Sequence, residues 1–338
     1  MLLIDSLYVN ESGSLILLNY LIKEIETARI DTIYLLDYRN PEYYKDIEEK
    51  RIIRFEPSLR KRKIFYEDLD QRITKILCFG NIPPPVKLKG ISVFTYLHQS
   101  LYISKEFLKM PIKNRFFFWL KEQYIKLKLQ NTDEVWVQTQ HMAKGFEKKY
   151  SFSSNAIKVF PFFIDIENIK AVKQENTFCY ISKGYTHKNH KRLLSVWKRI
   201  NQIYPEAQLH VTIAKAEFFK LYCDIEKEVS MGSNIINHQN ISFTEVQELL
   251  STSEYCIYPS LTESFGLGLV EAYNADCKII AANLPYTTSV LQPDYTFNPT
   301  STDSIYRCVL ELLSGNTNNT TAKLLMRNRI NDIISRLQ

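Results

Sequence analysis

Short apolar runs alternate along the chain with longer stretches in which apolar residues recur every three or four positions. The runs have strand length and the stretches have helix period, so the pattern predicts an α/β protein with parallel sheets. In the first half it predicts strands at 2–4, 32–36, 52–55, 76–79, 92–97, 134–138 and 158–161, and helices over 15–26, 65–73, 114–129 and 142–150. The alternation restarts after Phe162-Phe163-Ile164-Asp165. Strands follow at 177–181, 208–213, 235–236, 255–259 and 278–281, with one helix over 189–200 and another running to about Ala275. The polar stretch 168–176 reads as a linker. A second polar stretch, 315–321, precedes a last helix with Met326, Ile330, Ile333 and Leu337 on one face. The expected division is 1–165, 166–320 and a terminal helix, 321–338.

Composition agrees with two domains. A chain of 338 residues, 45% hydrophobic, can bury two cores. No apolar run reaches the roughly 18 residues that cross a bilayer. Met1-Leu2-Leu3-Ile4-Asp5 lacks a basic flank and reads as a first strand rather than a leader. The six cysteines are scattered with no Cys-x-x-Cys pair, as reduced core thiols would be, which points to the cytoplasm. Charge is uneven. Residues 1–164 carry 26 Lys and Arg against 19 Asp and Glu, whereas 165–338 carry 17 against 18. A basic surplus confined to one half suits an anionic partner that meets that half only.

Candidate chemistry concentrates in two segments. Ser260-Leu261-Thr262-Glu263-Ser264-Phe265-Gly266-Leu267-Gly268-Leu269-Val270-Glu271 joins a strand to a helix and sets two carboxylates eight residues apart around two glycines. As helix, that spacing spans roughly 12 Å, about the reach from a sugar ring past a diphosphate to a ribose. Glycines at a helix start let an anion approach free amides. Glu263 is read toward a sugar, Glu271 toward ribose hydroxyls, and the amides of Ser264, Phe265, Gly266, Leu267 and Gly268 toward phosphates. The other segment, Ser182-Lys183-Gly184-Tyr185-Thr186-His187-Lys188-Asn189, also follows a strand and opens a helix. Lys188, Lys191 and Arg192 at that helix start oppose its dipole by roughly 0.3–1 kcal/mol each. An anion bound there would relieve the conflict; the plainer reading is a solvated basic helix start.

With Glu263 and Glu271 framing Ser-Phe-Gly-Leu-Gly-Leu-Val, a preceding Tyr-Pro-Ser and a following Ala272, the chain resembles the retaining family 4 glycosyltransferases of GT-B fold. The likeness is specific over about 175–300 and only architectural over 1–165. It implies two Rossmann-like domains facing across a cleft, with the terminal helix packing back on the first. It also implies transfer from a nucleoside-diphosphate sugar to a glycan or lipid-linked glycan acceptor. In the family an Arg and a Lys five residues apart hold the donor diphosphate; Lys183 and Lys188 have that spacing here, and the Arg-to-Lys change loses the bidentate fork. Fixed cations then neutralise the leaving group without a metal or other cofactor. A His often stands beside the donor sugar where His98 ends a strand, and a glycine-rich loop often follows the first strand, where Gly13 lies. For His98 the plain alternative is a capped, half-buried imidazole.

Other readings are weaker. Asp68-Leu69-Asp70 spells a metal motif, yet it sits in a charged pattern, 66–72, that reads as a solvated helix face. His187 and His190 have no local partner for a metal. No Gly-x-Gly-x-x-Gly follows an early strand, and a Walker A loop and a Gly-x-Ser-x-Gly elbow are absent from the sequence. The segment 105–129 interleaves seven basic residues, Lys109 among them, and two acids with Phe107, Leu108, Met110, Phe116, Phe117, Phe118, Trp119 and Tyr124. It fits either an anionic membrane surface, at the inner membrane face, or a core helix with a lysine-rich outer face. No nucleic-acid motif accompanies it. The expected activity is a metal-independent hexosyl- or deoxyhexosyltransferase of surface polysaccharide synthesis. The rivals are a non-catalytic GT-B binding subunit and a GT-B sugar-nucleotide epimerase.

Overall fold

A computed structural model describes residues 1–109, 112–164, 171–315 and 321–338. The expected linker start at Asn168, the expected boundaries at 165/166 and 320/321, and Met110 lie outside the described residues. The chain divides into two compact units, Met1–Ile164 with Arg327–Gln338, and Asp165–Met326.

The first unit is built on strands β1 (Leu2–Ser6), β2 (Thr32–Asp37), β3 (Ile52–Phe55), β4 (Lys75–Cys78), β5 (Ser92–Leu97), β6 (Glu134–Val137) and β7 (Ile157–Val159). They form one parallel sheet in the order β3-β2-β1-β4-β5-β6-β7. Central β1 is buried along its whole length, as a strand covered by helices on both faces must be. The helices are α1 (Ser12–Thr27), α2 (Leu59–Glu67), α3 (Ile112–Lys128) and α4 (Gln140–Tyr150). Thr139 caps α4 by accepting from the Met142 amide.

Two sequence expectations shift here. Helix α2 starts six residues earlier than its apolar spacing suggested, because Ser58 caps it by accepting from the Lys61 amide. It ends at Glu67, so Asp68 and Asp70 lie beyond it, and Asp70 is tied to Arg72 by backbone and guanidinium bonds. The chain therefore has a turn, not a helical face, across 68–72. Helix α1 begins at Ser12, so Gly13 belongs to its first turn and not to an open loop.

The second unit holds β8 (Gln174–Tyr180), β9 (Gln208–Val211), β10 (Ile235–Asn237), β11 (Ser253–Tyr258), β12 (Lys278–Ala282), β13 (Leu291–Gln292), β14 (Tyr295–Phe297) and β15 (Lys323–Leu324). Six of these form a parallel sheet, β10-β9-β8-β11-β12-β14, and β13 pairs antiparallel with β15. Strand β14 escaped sequence detection because three residues carry too little periodicity. Strand β8 starts at Gln174, inside the stretch read as linker. The helices are α5 (His190–Ile200), α6 (Phe219–Ser230), α7 (Phe243–Thr252), α8 (Leu267–Asn274), α9 (Pro285–Val290) and α10 (Thr302–Leu313). Helix α5 buries Leu193, Val196, Trp197 and Ile200 in the core, and Ser242 with Glu245 forms a capping box on α7.

The chain closes with α11 (Ile330–Leu337), which belongs to the first unit. Ile330, Ile333, Ile334 and Leu337 are buried; Met326 precedes the helix. Arg336 pairs with Glu134, and the Arg329 amide donates to the Pro161 carbonyl at 2.8 Å. Five cysteines are buried and Cys223 is exposed, all as free thiols. Among the described residues no helix is long and apolar enough to cross a membrane. In both sheets the strand order reverses once, at β1/β4 and at β8/β11. Such switch points open crevices at carboxyl ends of strands, where α/β proteins bind ligands.

Candidate functional site

The two segments singled out in the sequence meet at the β8/β11 switch point. Beyond β8 the chain passes Lys183 and a 3-10 turn, Thr186–Lys188, into α5. Beyond β11 it passes Glu263 into α8. The Leu261 amide donates to the His187 carbonyl at 2.7 Å. The Tyr180 hydroxyl donates to the Lys188 carbonyl at 2.9 Å and lies 2.8 Å from the Ser260 hydroxyl. Asn189, left-handed at φ 65°, donates through Nδ2 to the carbonyls of Pro259 and Pro299 at 3.1 and 2.8 Å. Tyr286 donates to the Ser260 carbonyl at 2.9 Å. Buried side chains thus lock two sequence-distant turns together.

At the junction the Lys188 ammonium donates to Glu263 Oε1 at 2.6 Å, with the side chains 16% and 11% exposed. The Tyr258 hydroxyl donates to the same oxygen at 3.2 Å. Burial pushes the Glu263 carboxyl up, but the Lys188 ammonium outweighs it and holds the group below its ordinary value. The pair is therefore ionised and charge-assisted. Gly266, the residue before α8, has φ 85°, a conformation that favours glycine. At Gly268 a Cβ would lie 3.1 Å from the Tyr258 ring. The first glycine shapes the turn, and the second makes room for the ring that holds Glu263. Only 267–274 is helical, so the spacing between the two glutamates is part turn and part helix. Ser264 is half-buried and Phe265 buried.

Glu271 sits half-buried on α8, and burial pushes its carboxyl up to about 7. No ion pair or side-chain hydrogen bond joins it among the described residues. An acid in this state is ready for donors supplied from outside the chain. Lys183 differs: its ammonium donates to Glu217 Oε2 at 2.8 Å, in a more exposed setting.

The nearby histidines are neutral and engaged. His190 Nε2 lies 3.0 Å from the Ser182 hydroxyl and 3.2 Å from the Lys183 carbonyl, and burial pushes the ring down to about 3. His187 stacks on Tyr185 at 5.8 Å, pushed down to about 4 by burial and Lys188. Among the described residues no group of three or more His, Cys, Asp or Glu is placed to hold a metal.

His98 lies in the other unit, just past β5. Its Nε2 lies 2.8 Å from the Phe79 carbonyl, which can only accept, and 3.2 Å from Asn81 Nδ2, which can only donate; the shorter contact favours the proton on Nε2. Its amide donates to Asn81 Oδ1 at 2.7 Å, and burial pushes the ring down to about 4. Gly13 lies at the start of α1, after β1. The structure therefore gathers Lys188, Glu263, Ser264, Phe265, Gly266, Leu267, Gly268 and Glu271 around one switch point, with Lys183 on the same turn, and sets His98 and Gly13 apart in the first unit. Sequence reasoning missed Tyr180, Tyr258, Asn189, Tyr286 and Asn81. The Tyr of Tyr-Pro-Ser is the one available signal, and in the sequence alone it marks only the end of a strand.

Residues 162–329 match the family described as glycosyl transferases group 1. A capsular polysaccharide biosynthesis glycosyltransferase, CapH of Staphylococcus aureus, is 27% identical over 125 residues, 36% of this chain and 34% of that protein. The match thus spans about a third of that relative's length. Among solved structures, the lipopolysaccharide outer core galactosyltransferase WaaB in its apo form aligns with a TM-score of 0.66 at 14% identity, covering 99% of this chain and 93% of that one. Anabaena HepE in complex with UDP and glucose aligns with a TM-score of 0.63 at 12% identity, covering 99% and 94%. At such identities the structural likenesses establish the fold, two Rossmann-like domains of GT-B type. Residues 162–329 are thus similar to the glycosyl transferases group 1 family, on a fold of GT-B type.

Proposed function

We propose that the chain is a retaining glycosyltransferase that moves a hexosyl or deoxyhexosyl group from a nucleoside-diphosphate sugar to a glycan of a bacterial surface polysaccharide. The observation that carries this is the ionised Lys188–Glu263 pair at the β8/β11 switch point, with Glu271, which has no side-chain partner among the described residues, one helix turn beyond the glycine bend. HepE, with UDP and glucose bound, supports a nucleotide-sugar donor. CapH and WaaB support a surface-polysaccharide acceptor.

Each residue has a role in this reading. An ammonium has three donors, so Lys188 holds Glu263 with one and offers the others to the diphosphate. Its charge stabilises the leaving group as negative charge grows there. Lys183 gives a weaker second contact once the diphosphate competes with Glu217. Glu263, fixed by Lys188 and Tyr258, accepts from sugar hydroxyls, and Glu271 accepts from the ribose diol. The amides of Ser264 to Gly268 face the phosphates. His98, neutral with its proton on Nε2, leaves Nδ1 to accept from a sugar or acceptor hydroxyl, and Gly13 lines the acceptor side. The acceptor attacks from the face the diphosphate leaves, and the departing phosphate takes its proton. No side-chain nucleophile and no metal enter, and turnover persists in EDTA. The acceptor is lipid-linked at the cytoplasmic face of an anionic membrane, and no nucleic acid takes part.

A thermal-shift panel of UDP, GDP, dTDP and CMP tests the donor assignment. A ligand at a hundred times its Kd adds about 2.7 kcal/mol, a rise of several degrees. No response to any nucleotide defeats the proposal. Donor hydrolysis without acceptor separates an enzyme from a binding subunit, and formation of a new sugar nucleotide would identify an epimerase.

A further inference from the structure

Helix α3 has two apolar faces, and only one of them is used. Ile125 is buried, and Phe118 stacks on Tyr102 at 4.8 Å and on Phe107 at 5.2 Å. On the far side Ile112, Phe116, Trp119, Leu120 and Leu127 are exposed, at 77, 56, 48, 42 and 64%. At 3.6 residues per turn these five fall within an arc of about 100°. Phe116 and Trp119 stack on each other at 6.2 Å rather than on the core. A core helix with a lysine-rich outer face is therefore not what this segment forms.

Charge flanks the stripe on both sides. Lys126 and Arg115 border one edge; Lys113 borders the other, with Lys128 and Lys121 further round, past Tyr124 and Phe117. Glu122 is the one acid of the helix, and it is buried and paired with Lys149. The outer face thus presents aromatic and aliphatic groups between two cationic rows, with no carboxylate.

We infer that this face docks on an anionic lipid surface, its apolar stripe entering the headgroup region and its lysines contacting lipid phosphates. Charge complementarity selects this occupant. A second copy of the face would bring lysine rows together with no acid to meet them, since an isologous contact is self-complementary. Nucleic acid would satisfy the lysines but gain nothing from Ile112, Leu120 and Leu127, whereas lipid satisfies both classes. Phe118, through Tyr102, ties α3 to the segment that follows His98. Docking would therefore hold that end of the first sheet near the lipid, a consequence that rests on the acceptor reading above; the docking itself does not.

Trp119 makes the test direct. Trp136 and Trp197, the other two tryptophans, are fully buried, so a change in emission on docking reports Trp119. The full chain is titrated with phosphatidylglycerol/phosphatidylcholine vesicles at ~50 mM salt, without nucleotide. The expected result is co-sedimentation, a blue shift, quenching by brominated lipid, and release at high salt. Lys113→Glu/Lys121→Glu/Lys126→Glu should weaken partition at least about a hundredfold, at about fivefold for each basic residue removed. Phe116→Ser/Leu120→Ser/Leu127→Ser should abolish the blue shift. An unchanged nucleotide thermal shift in both variants shows that they fold. Because vesicle binding and nucleotide binding are read separately, failure of one leaves the other standing. Absence of co-sedimentation and blue shift overturns the inference. So does a vesicle-free, concentration-dependent dimer that shields Trp119, or single-stranded oligonucleotide binding in place of vesicle binding.

Discussion

The carboxyl ends of the two sheets are built differently. In the second unit the candidate groups come from two contiguous segments, 180–189 and 258–271, each a strand, a turn and a helix start. In the first unit they come from separate places: Gly13 after β1, Asn81 after β4 and His98 after β5. Tyr8 and Asn81 are both left-handed, at φ 72° and 66°, although neither is glycine. Such strain persists where the surroundings over-determine it, and it clusters at functional sites. A diphosphate is a fixed shape that one turn and one helix start can cradle. In the reading proposed above, a variable acceptor has no such template, which fits its side of the fold being assembled from single residues. The contrast predicts that changes in the second unit fall on the donor and on turnover, while those in the first leave nucleotide binding alone.

The largest effect should come from Lys188→Ala. In the proposed reading it removes the cation that faces the developing charge, and it strands Glu263 without its counter-charge. Loss of one electrostatic stabiliser lowers kcat by about 100- to 1000-fold, and KM for the donor should change far less. An unchanged kcat with a raised KM would show that Lys188 only binds. Were His98→Ala, in the other unit, to weaken nucleotide binding as strongly, the contrast between the units would fail.

Next in size is Glu271→Ala, which should weaken nucleotide-diphosphate binding by about 1.5–3 kcal/mol, the range for hydrogen bonds to a charged group. Calorimetry reads this. The same residue gives a pH signature. Its carboxyl titrates at about 7 when the site is empty, and ribose hydroxyls favour the ionised form. Affinity should therefore rise with pH up to about 7 and level off above it, being roughly tenfold weaker at pH 6. In the empty protein the sign reverses. The folded value lies above the ordinary 4.5, so between about 4.5 and 7 the folded state holds more protons than the unfolded state, and stability falls as pH rises. Glu271→Gln should remove both slopes and raise the melting temperature at pH 8 while weakening binding. A pH-independent wild-type affinity would dismiss the ribose role.

What the sequence made legible follows the same division. The seven strands of the first sheet could be placed because buried parallel strands are continuous apolar runs. The Glu263–Glu271 and Lys183–Lys188 spacings were visible because each lies within one short contiguous segment. The partnership of Lys188 with Glu263 was not, because it depends on β8 and β11 being neighbours, a property of sheet order. Tyr258 was hidden for the same reason: an aromatic at a strand end looks like core until the ring is seen against Gly268. Helix α2 was misplaced because Tyr66 and Leu69 extend an apolar spacing past its real end, while Ser58, seven residues before the expected start, caps it. Helix α3 shows the limit of periodicity, since two apolar faces on one helix leave no polar side to orient it.

The smallest effect concerns Asn81, and it separates strain from contact. Asn81 Oδ1 accepts the His98 amide at 2.7 Å, and its backbone is left-handed. Asn81→Gly keeps that backbone and removes the side chain, so it should cost about 1 kcal/mol, one hydrogen bond. Asn81→Ala removes the same bond and adds roughly 1–2 kcal/mol of left-handed strain. Urea unfolding should rank wild type above Asn81→Gly above Asn81→Ala, with the gap between the two variants measuring the strain. Equal stabilities would mean that the backbone relaxes and that the left-handed turn is not imposed by its surroundings. Turnover should fall severalfold in both, because His98 loses the partner that fixes its backbone, while nucleotide affinity stays at the wild-type value. A drop in nucleotide affinity would instead mean that the first sheet's edge is part of the donor site.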